Sequence, residues 1–392
     1  MKWLVALAAI SLVGVVAWTL LARVRWYPFP ELAMSPDGQK VALKEIAHRP
    51  SDRAVWGLRR GYASLNGLFR RVARKRLPAW HPQGTVKSRV VVFDAATRRG
   101  ETVYEGTEWL TVMEWVSERE LAFCPGIHSN LFLWTEGDRE PVRVAGPALS
   151  AILLARVASS SRGWALLGVE GPPRKLALYR SAGGKTTSSV PPYAGSGLPL
   201  GVAADGSWAA IIEYRNGGRA VVIFDTSTGK VIREYVDPSL NPVSLREGVI
   251  IGNTGGGNTD IRRMTATGMR QIALLPSKKD TMVFSHLSPK GSFVLATECL
   301  LSTFELKSAQ LVDTRSGAVA ALNLPDSYPL DFVGWGKDDS ELVGLLWPRA
   351  ERDGTSGWQI VSLRLKKEGS RWTVTPDRVF GSPDRPIVGK EP

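Results

Sequence analysis

The fold is decided by a short pattern that first appears as VVVFDAATRRGETVY at residues 90–104 and returns as VVIFDTSTGKVIREY at residues 221–235. In both copies, an apolar segment runs into a turn rich in Asp, Thr, Ser or Gly, and a second extended segment follows. Alternation of apolar and polar residues is typical of a β-strand, and these turn residues are the ones that tight turns favour. Each copy therefore predicts a β-hairpin.

The hairpin pattern occurs seven times along the chain. The last residue before each turn recurs at intervals of 40 to 51 positions, with a mean of 45. These residues are Phe93, Trp134, Tyr179, Phe224, Met264, Val312 and Leu363. A repeat near 45 residues is typical of a four-stranded unit that is arranged with its copies around a common axis.

A second hairpin precedes each copy, as a four-stranded unit requires. Its clearest forms are LAMSPDGQKVAL at residues 32–43 and FSHLSPKGSFVLAT at residues 284–297. Their turns combine a proline, which fixes φ, with a glycine, which tolerates positive φ. The predicted fold class is therefore all-β, a seven-bladed β-propeller of four-stranded antiparallel blades.

These repeats resemble the propeller repeats of the TolB-like and prolyl-oligopeptidase N-terminal domains, which are WD-repeat-like in architecture. The resemblance rests on the Ser-Pro-Asp-Gly turn at residues 35–38 and on the hydrophobic-Asp pairs Phe93-Asp94, Phe224-Asp225 and Val312-Asp313. It covers residues 27–380, which are assigned to the propeller. The resemblance implies an architecture and leaves the function open, because propellers host binding, scaffolding and catalysis.

The N-terminus is predicted to be a membrane segment. Residues 3–22, WLVALAAISLVGVVAWTLLA, form a run of 20 residues without a charge. A helix of this length spans about 30 Å, the thickness of the hydrocarbon core of a bilayer. The length favours a transmembrane helix over a cleaved signal sequence, whose apolar region is usually about 7–15 residues long. Residues 1–26 are assigned to this anchor, with a signal sequence as the alternative.

The first blade contains a basic insertion at residues 48–87. It separates the two hairpins of the blade by some 40 residues, where a loop of about two to six residues is usual. Apolar residues recur at helical spacing from Val55 to Val72, which predicts an amphipathic helix. Ten Lys or Arg residues accompany a single acid, Asp52, so the insertion is strongly basic.

A basic amphipathic helix close to a membrane anchor has two interpretations. Either it lies on the membrane with its cations against anionic headgroups, or it packs its apolar face on the propeller and leaves a basic face in solvent. The candidate membrane-surface contacts are Arg59, Arg60, Phe69, Arg70, Arg71, Arg74, Lys75 and Arg76. Nucleic acid is not expected as a partner, because the rest of the chain offers no nucleic-acid-binding motif.

The composition is that of a globular protein with locally concentrated charge. The chain of 392 residues is 44% hydrophobic and 22% charged, which excludes a mainly disordered chain and a multi-span membrane protein. Its net charge is +13, of which the anchor region and the insertion together account for +12. The basic character therefore points to the membrane surface more than to the partner of the propeller.

The sequence contains no recognisable catalytic, metal-binding or cofactor-binding motif. G-x-S-x-G does not occur, and no two histidines have the spacing of a zinc site. His286 is expected to be structural, and Cys124 and Cys299 are expected to be two separate thiols. No catalytic, metal-ligating or cofactor-binding residue is assigned, no cofactor is expected, and the chain is not predicted to be an enzyme.

The predicted function is a membrane-anchored propeller that binds or scaffolds a protein or cell-envelope partner. The alternatives are a propeller enzyme with a hydrolase or lyase site at the mouth of its channel, and a module that binds anionic lipid through the insertion. The resemblance favours a propeller on the periplasmic or cell-surface side, whereas the cations that follow the anchor favour the cytoplasmic side. Residues 381–392 are expected to be a C-terminal tail.

Overall fold

The structure is a computed structural model that describes most of the chain after residue 24. The described segments are residues 25–48, 87–106, 110–125, 131–144, 156–160, 163–170, 175–182, 185–203, 205–215, 218–237, 239–254, 257–278, 280–300, 306–323, 330–346, 359–369 and 371–381. The predicted transmembrane run, nearly all of the insertion and the tail lie outside them. Within these segments, no helix is long and apolar enough to cross a bilayer.

The described residues form 28 β-strands that follow one another in groups of four. The first group is β1 (Arg25–Met34), β2 (Lys40–His48), β3 (Lys87–Asp94) and β4 (Gly100–Gly106). The second is β5 (Leu110–Trp115), β6 (Glu120–Pro125), β7 (Phe132–Thr135) and β8 (Val142–Arg143). The third is β9 (Arg156–Ser160), β10 (Gly163–Glu170), β11 (Lys175–Ala182) and β12 (Lys185–Ser189). The fourth is β13 (Leu198–Val202), β14 (Trp208–Arg215), β15 (Gly218–Asp225) and β16 (Val231–Val236).

The remaining groups continue this order to the end of the described chain. The fifth is β17 (Asn241–Arg246), β18 (Val249–Asn253), β19 (Thr259–Met264) and β20 (Met269–Leu275). The sixth is β21 (Thr281–Leu287), β22 (Phe293–Leu300), β23 (Leu306–Asp313) and β24 (Val319–Asn323). The seventh is β25 (Leu330–Trp335), β26 (Glu341–Leu346), β27 (Gln359–Glu368) and β28 (Arg371–Gly381).

Each group, called a unit from here on, is an antiparallel meander in which every strand pairs with the next one along the chain. Most consecutive strands are separated by only a few residues, which is enough for a hairpin to reverse the chain, whereas residues 49–86 separate β2 from β3. The first five units are separate four-stranded sheets. The predicted all-β class and the four-stranded antiparallel sheets of a β-propeller are confirmed.

The sixth and seventh units join into one sheet of eight strands. Their outer strands β24 and β28 run parallel, with Leu322 opposite Trp372 and Asn323 opposite Thr373. The hairpin of β27 and β28 is long enough to reach the edge of the sixth unit, since β28 alone has 11 residues. The unpaired edge that β24 would otherwise present is therefore covered in part, which protects it from pairing with other chains.

The hydrophobic core lies between successive units rather than within any one of them. Val92 of the first unit packs with Trp115 and Phe123 of the second, and Ala209 of the fourth packs with Leu167 of the third. Each of these side chains is almost wholly buried. Full burial of one large apolar side chain contributes about 1.5–3 kcal/mol, so the contacts between units stabilise the fold.

The last unit packs against the first in the same way. Val41 and Phe93 of the first unit share one apolar cluster with Val343, Leu345 and Phe380 of the seventh. Every strand of both units comes from its own end of the chain. The two ends are therefore brought together by side-chain packing, without exchange of a strand between the units.

Candidate interaction surfaces of the ring

The direction of the strands gives the propeller two faces. Connections of two to six residues join the first strand of each unit to the second and the third strand to the fourth. They include residues 35–39 and 226–230, and the side on which they lie is what we call the turn face. The connections from the second strand to the third, and from each unit to the next, form the opposite side, which we call the entry face. A binding partner can therefore meet two chemically different surfaces.

The chain enters the propeller next to the point at which the insertion leaves it. Arg25, the first residue of β1, is the register partner of His48, the last residue of β2. Partners in adjacent antiparallel strands lie about 4.5–5.5 Å apart. The next strand, β3, resumes at Lys87 opposite Ala47. Residues 1–24 and 49–86 therefore all join the described fold at the entry face of the first unit.

The eight predicted membrane-surface contacts belong to the segment between β2 and β3. These residues are Arg59, Arg60, Phe69, Arg70, Arg71, Arg74, Lys75 and Arg76. All of them lie outside the described residues, so their role stays a prediction. The structure supplies only the two ends of the segment that carries them, His48 and Lys87.

Three second strands place a buried glutamate at the same position on the entry-face side. Glu45, Glu213 and Glu298 are 1%, 7% and 8% exposed. Each lies five residues beyond the strand residue that pairs with the aspartate of a hydrophobic-Asp motif. A buried carboxylate is costly unless a cation or hydrogen-bond donors compensate it, so each site must supply its own partners.

Glu45 and Glu298 are compensated in different ways. Arg89 Nε lies 2.5 Å from a carboxylate oxygen of Glu45, yet burial outweighs this ion pair and raises the pKa of Glu45. Glu298 receives hydrogen bonds from Lys278 Nζ at 2.8 Å, Ser308 Oγ at 2.8 Å and Thr281 Oγ1 at 3.0 Å. Burial acts to raise the pKa of Glu298, but these donors together hold it below its usual value.

Glu213 fixes the connection between the third and fourth units. Tyr193, in that connection, donates a hydrogen bond from its hydroxyl to Glu213 at 2.6 Å, and Arg215 Nε donates to the other carboxylate oxygen at 2.9 Å. The ring of Tyr193 stacks on Phe224 with 4.4 Å between centroids. Burial and the bond to Glu213 raise the pKa of Tyr193 to about 12. The hydroxyl therefore stays protonated at neutral pH and acts as a structural donor.

Aspartates of the hydrophobic-Asp motifs shape the turn face. Asp225 Oδ1 accepts hydrogen bonds from the backbone N–H groups of Ser227 at 2.9 Å and Thr228 at 2.8 Å, and from both of their hydroxyls. These bonds, led by that from the Ser227 hydroxyl, lower the pKa of Asp225 to about 2. Asp313 accepts the equivalent backbone bonds in the sixth unit. The motif that identified the repeat therefore has a structural role in these turns.

Two arginines join neighbouring units across the turn face. Arg180 Nη2 donates to Thr226 Oγ1 at 2.7 Å, and Arg263 Nη2 donates to Thr314 Oγ1 at 3.0 Å. Both threonines directly follow a motif aspartate, and Thr314 Oγ1 donates onward to the carbonyl of Gly291 at 2.7 Å. Sequence patterns alone assign these arginines no role. The one sequence feature that could have indicated these bonds is the Asp-Thr pair in the following unit, Asp225-Thr226 for Arg180 and Asp313-Thr314 for Arg263.

The innermost strands carry one layer of mostly small or polar residues at equivalent register positions. The described side chains or glycines of this layer are Ala33, Glu114, Gly201, Ser244, His286 and Gly334. His286 is exposed to solvent, yet the surrounding protein lowers the pKa of its imidazole.

The described residues contain little that could support metal or thiol chemistry. None of their His, Cys, Asp and Glu side chains form a group of three or more that could hold a metal ion. Cys124 and Cys299 are both buried and are not joined in a disulfide, which confirms the prediction of two separate thiols. Burial raises the pKa of Cys124 to about 12, so it has almost no thiolate at neutral pH.

No protein-family model matches the chain, and no curated protein matches its sequence. Similarity to known proteins is therefore found only among solved structures. With sequence identities below 20%, these structures show the fold and carry no information on activity or partners.

Solved propellers share the fold over most of the chain. The β-propeller domain of Cps50 (Swd1) from Myceliophteria thermophila is 12% identical, with a TM-score of 0.53 over 88% of this chain and 98% of that domain. A prolyl endopeptidase is 9% identical, with a TM-score of 0.50 over 92% of this chain and 50% of that one. A putative TolB from Agrobacterium tumefaciens is 17% identical over 58% of this chain and 86% of that one, with a TM-score of 0.42. The predicted resemblance to propeller repeats is confirmed for the fold.

Proposed function

We propose that this protein is a membrane-anchored, seven-bladed β-propeller that binds or scaffolds a protein or cell-envelope partner without catalysing a reaction. The observation that carries the proposal is the pairing of Arg25 with His48. It puts the two residues at which the N-terminal segment and the insertion join the described fold on one face of the propeller. A membrane anchor on that face leaves the turn face directed away from the bilayer.

Seven blades account for the way in which the units meet. Each four-stranded unit packs its apolar side chains on the unit before it, and the seventh packs on the first through Phe380 and Phe93. A ring of seven units satisfies every one of these contacts. A ring with fewer blades would leave some described strands without a place in it.

The turn face is the surface that we assign to the partner. Its turns are held by their own side chains, as Asp225 and Asp313 illustrate, so their backbone is fixed before a partner arrives. A rigid surface loses less conformational entropy on binding than a flexible one, which favours affinity. Exposed charged residues of both signs, such as Arg98, Glu118 and Arg119, suit a polar protein surface.

The absence of catalysis is proposed from three buried glutamates on the second strands of their units. Glu45, Glu213 and Glu298 are each bound by donors from the chain itself. A carboxylate engaged in this way is less available to exchange a proton with a substrate. The three glutamates occupy equivalent strand positions, and each bonds to different partners within the fold.

A catalytic site at the channel mouth is the second candidate function, because Glu114, Ser244 and His286 lie in one inner layer. That function requires their side chains to act together on a substrate in the channel. His286→Ala would then abolish a hydrolase or lyase activity, whereas the scaffold proposal expects the same variant to retain its partner.

The test of the proposed function is recovery of a partner from native membranes. The full-length chain is purified in several mild detergents, and the proteins that accompany it are compared with those accompanying an unrelated single-span membrane protein. We expect one specific partner to be recovered in more than one detergent. Recovery of the chain alone in all of them would overturn the proposal.

The side of the membrane on which the propeller lies is proposed separately from its function. We assign the propeller to the outside of the cytoplasmic membrane, in the periplasm or at the cell surface. Protease added to intact spheroplasts should then digest the propeller while cytoplasmic proteins remain protected. Digestion that requires lysis of the spheroplasts would reverse this assignment and leave the anchor itself in place.

A further inference from the structure

Exposed apolar side chains gather toward one face of three successive units. Of the nine large apolar residues that are most exposed in the described chain, five lie toward the entry face of the third, fourth and fifth units. Their exposed fractions are 59% for Val190, 62% for Tyr214, 65% for Val236, 43% for Val243 and 48% for Leu274. We call these five residues the entry-face patch. The other four exposed residues lie toward the turn face and belong to three non-consecutive units.

The placement of the patch follows from the direction of the strands. Tyr214, Val236 and Leu274 lie at or next to the ends of β14, β16 and β20, all of which run toward the entry face. Val190 follows the last residue of β12, another strand that runs in this direction. Val243 lies near the start of β17, which leaves from the entry face. Five strands of the third, fourth and fifth units therefore contribute exposed apolar residues to the entry face.

Cations accompany the apolar residues of the patch. The guanidinium of Arg219 lies over the ring of Tyr214, 5.6 Å from its centroid. Arg215 is half exposed although it pairs with Glu213, and Lys278 is 70% exposed although it pairs with Glu298. A tyrosine and aliphatic residues beside Arg and Lys are the composition that suits the boundary between headgroups and acyl chains.

Few residues separate the apolar run from the first strand, which favours the lipid bilayer as the binding partner of this patch. The run ends at Ala22, and β1 begins at Arg25. These three steps along the chain span at most about 10 Å even when fully extended. An anchored chain therefore holds the start of an innermost strand at the level of the headgroups, with the whole entry face close to the bilayer.

We infer that the entry-face patch contacts the surface of the lipid bilayer and holds the propeller flat on the membrane. This inference rests on the proposed membrane anchor. In a ring of seven units, the third to fifth units lie across the axis from the first, where the anchor enters. The anchor and the patch support opposite sides of the ring, so the axis of the propeller stands along the membrane normal and the turn face points away.

The test measures how deeply two positions on one strand lie in the membrane. Full-length protein is reconstituted in vesicles of phosphatidylcholine and phosphatidylglycerol, and an environment-sensitive fluorophore is attached to Val236→Cys or to the matched control Ile232→Cys. Both residues are exposed on β16, Val236 at its entry-face end and Ile232 near its turn-face end. The two native cysteines are buried and do not compete for the label.

Lipids that carry a quencher should quench the label at position 236 at least about twofold more strongly than the label at position 232. Co-flotation of the protein with the vesicles measures membrane attachment through the anchor, independently of the quenching. Flotation with equal quenching at both positions would overturn the inference and leave the anchor standing, whereas a chain that does not float would overturn both. Protection of position 236 from lipid quencher and from aqueous iodide together would show that a protein covers the patch, which also overturns the inference.

Discussion

The indole Nε1 of Trp115 donates a hydrogen bond to the backbone carbonyl of Ala33 at 2.9 Å, which ties the second unit to the first. Trp335 makes the same bond to the carbonyl of His286 at 2.8 Å, between the seventh unit and the sixth. Each tryptophan is the last residue of the first strand of its unit. The same indole-to-carbonyl hydrogen bond therefore stabilises two separate junctions between units, and both involve the first strands of those units.

Trp115→Phe should lower the stability of the propeller. The substitution keeps an aromatic ring in place but leaves the partly buried carbonyl of Ala33 without this donor, at a cost of about 0.5–1.5 kcal/mol. The measurement is the urea midpoint of the full-length protein in detergent, followed by circular dichroism. Trp208→Phe is the matched control, since Trp208 is only partly buried against a core cluster. An equal shift in both variants would show that lost volume, rather than the hydrogen bond, decides the result.

Phe380→Ala should open the ring at the junction of its first and last units. Phe380 is wholly buried in the cluster that these two units share, and removal of such a ring costs about 3–5 kcal/mol. Amide hydrogen exchange should accelerate first in β2 and β26. Phe224→Ala is the control, because it removes a buried ring between the third and fourth units. Identical exchange patterns in the two variants would contradict a role for Phe380 at this junction.

Thr226→Val should weaken the contact between the third and fourth units. It removes the hydroxyl that accepts a bond from Arg180 and donates to a backbone carbonyl, while side-chain volume is preserved. We expect a loss of about 1–3 kcal/mol, measured as a shift of the urea midpoint. The loss should add to that of Thr314→Val, since the two threonines lie in different contacts between units. Thr187→Val, at an exposed position of β12, should have little effect.

Glu298 should make the stability of the sixth unit depend on pH. Its pKa in the folded protein lies below the usual value of about 4.3 that the unfolded chain retains. A carboxyl group of this kind contributes stability that is fully present above the unfolded pKa and is lost as the pH falls through the folded pKa. Glu298→Gln should therefore lower stability at pH 7 and flatten its dependence on pH below about 4.3.

Thermal unfolding of the wild type and of Glu298→Gln, followed from pH 7 to pH 3, measures this dependence. Glu118→Gln is the matched control, because Glu118 is exposed on the turn face. Parallel curves for the wild type and Glu298→Gln across the whole range would show that the bonds from Lys278, Ser308 and Thr281 have no net effect on stability.

Charge reversal on the two faces tests the proposed assignment of the turn face to a protein partner and of the entry face to the membrane. Glu118→Arg, on the turn face, should reduce recovery of the partner from native membranes, because it changes the charge of the proposed binding surface. Lys175→Glu, at an exposed entry-face position, should leave recovery unchanged. Both variants should remain in the membrane fraction. Loss of the partner with Lys175→Glu alone would place the partner on the entry face.

The sequence predicted the local structure of the hairpins because adjacent residues determine it. The turn at residues 35–38 requires positive φ at its fourth position, and Gly38 has φ of 71°, as does Gly291 in the equivalent turn. Asp225 likewise bonds to backbone groups two and three positions further on. These features depend on a few consecutive residues, so the pattern alone was sufficient to predict them.

Contacts between units could not be predicted in the same way. Arg180 and Thr226 lie 46 positions apart in the sequence, and only the packing of one unit on the next brings them together. The parallel pairing of Leu322 with Trp372 depends on how far a long hairpin reaches. The entry-face patch has the same origin, since alternation along a strand shows which residues are apolar but not which end of the ring they border.

The continuity of each unit in the sequence has a consequence for the order in which the protein is made. Synthesis completes the first unit early, but the side chains on its outer side, including Val41 and Phe93, find their partners Val343 and Phe380 only when the final unit emerges. Until then, an apolar surface of the growing chain is open to solvent. During biosynthesis, the apolar side of the first unit that packs on the seventh is therefore covered only after Phe380 has been added.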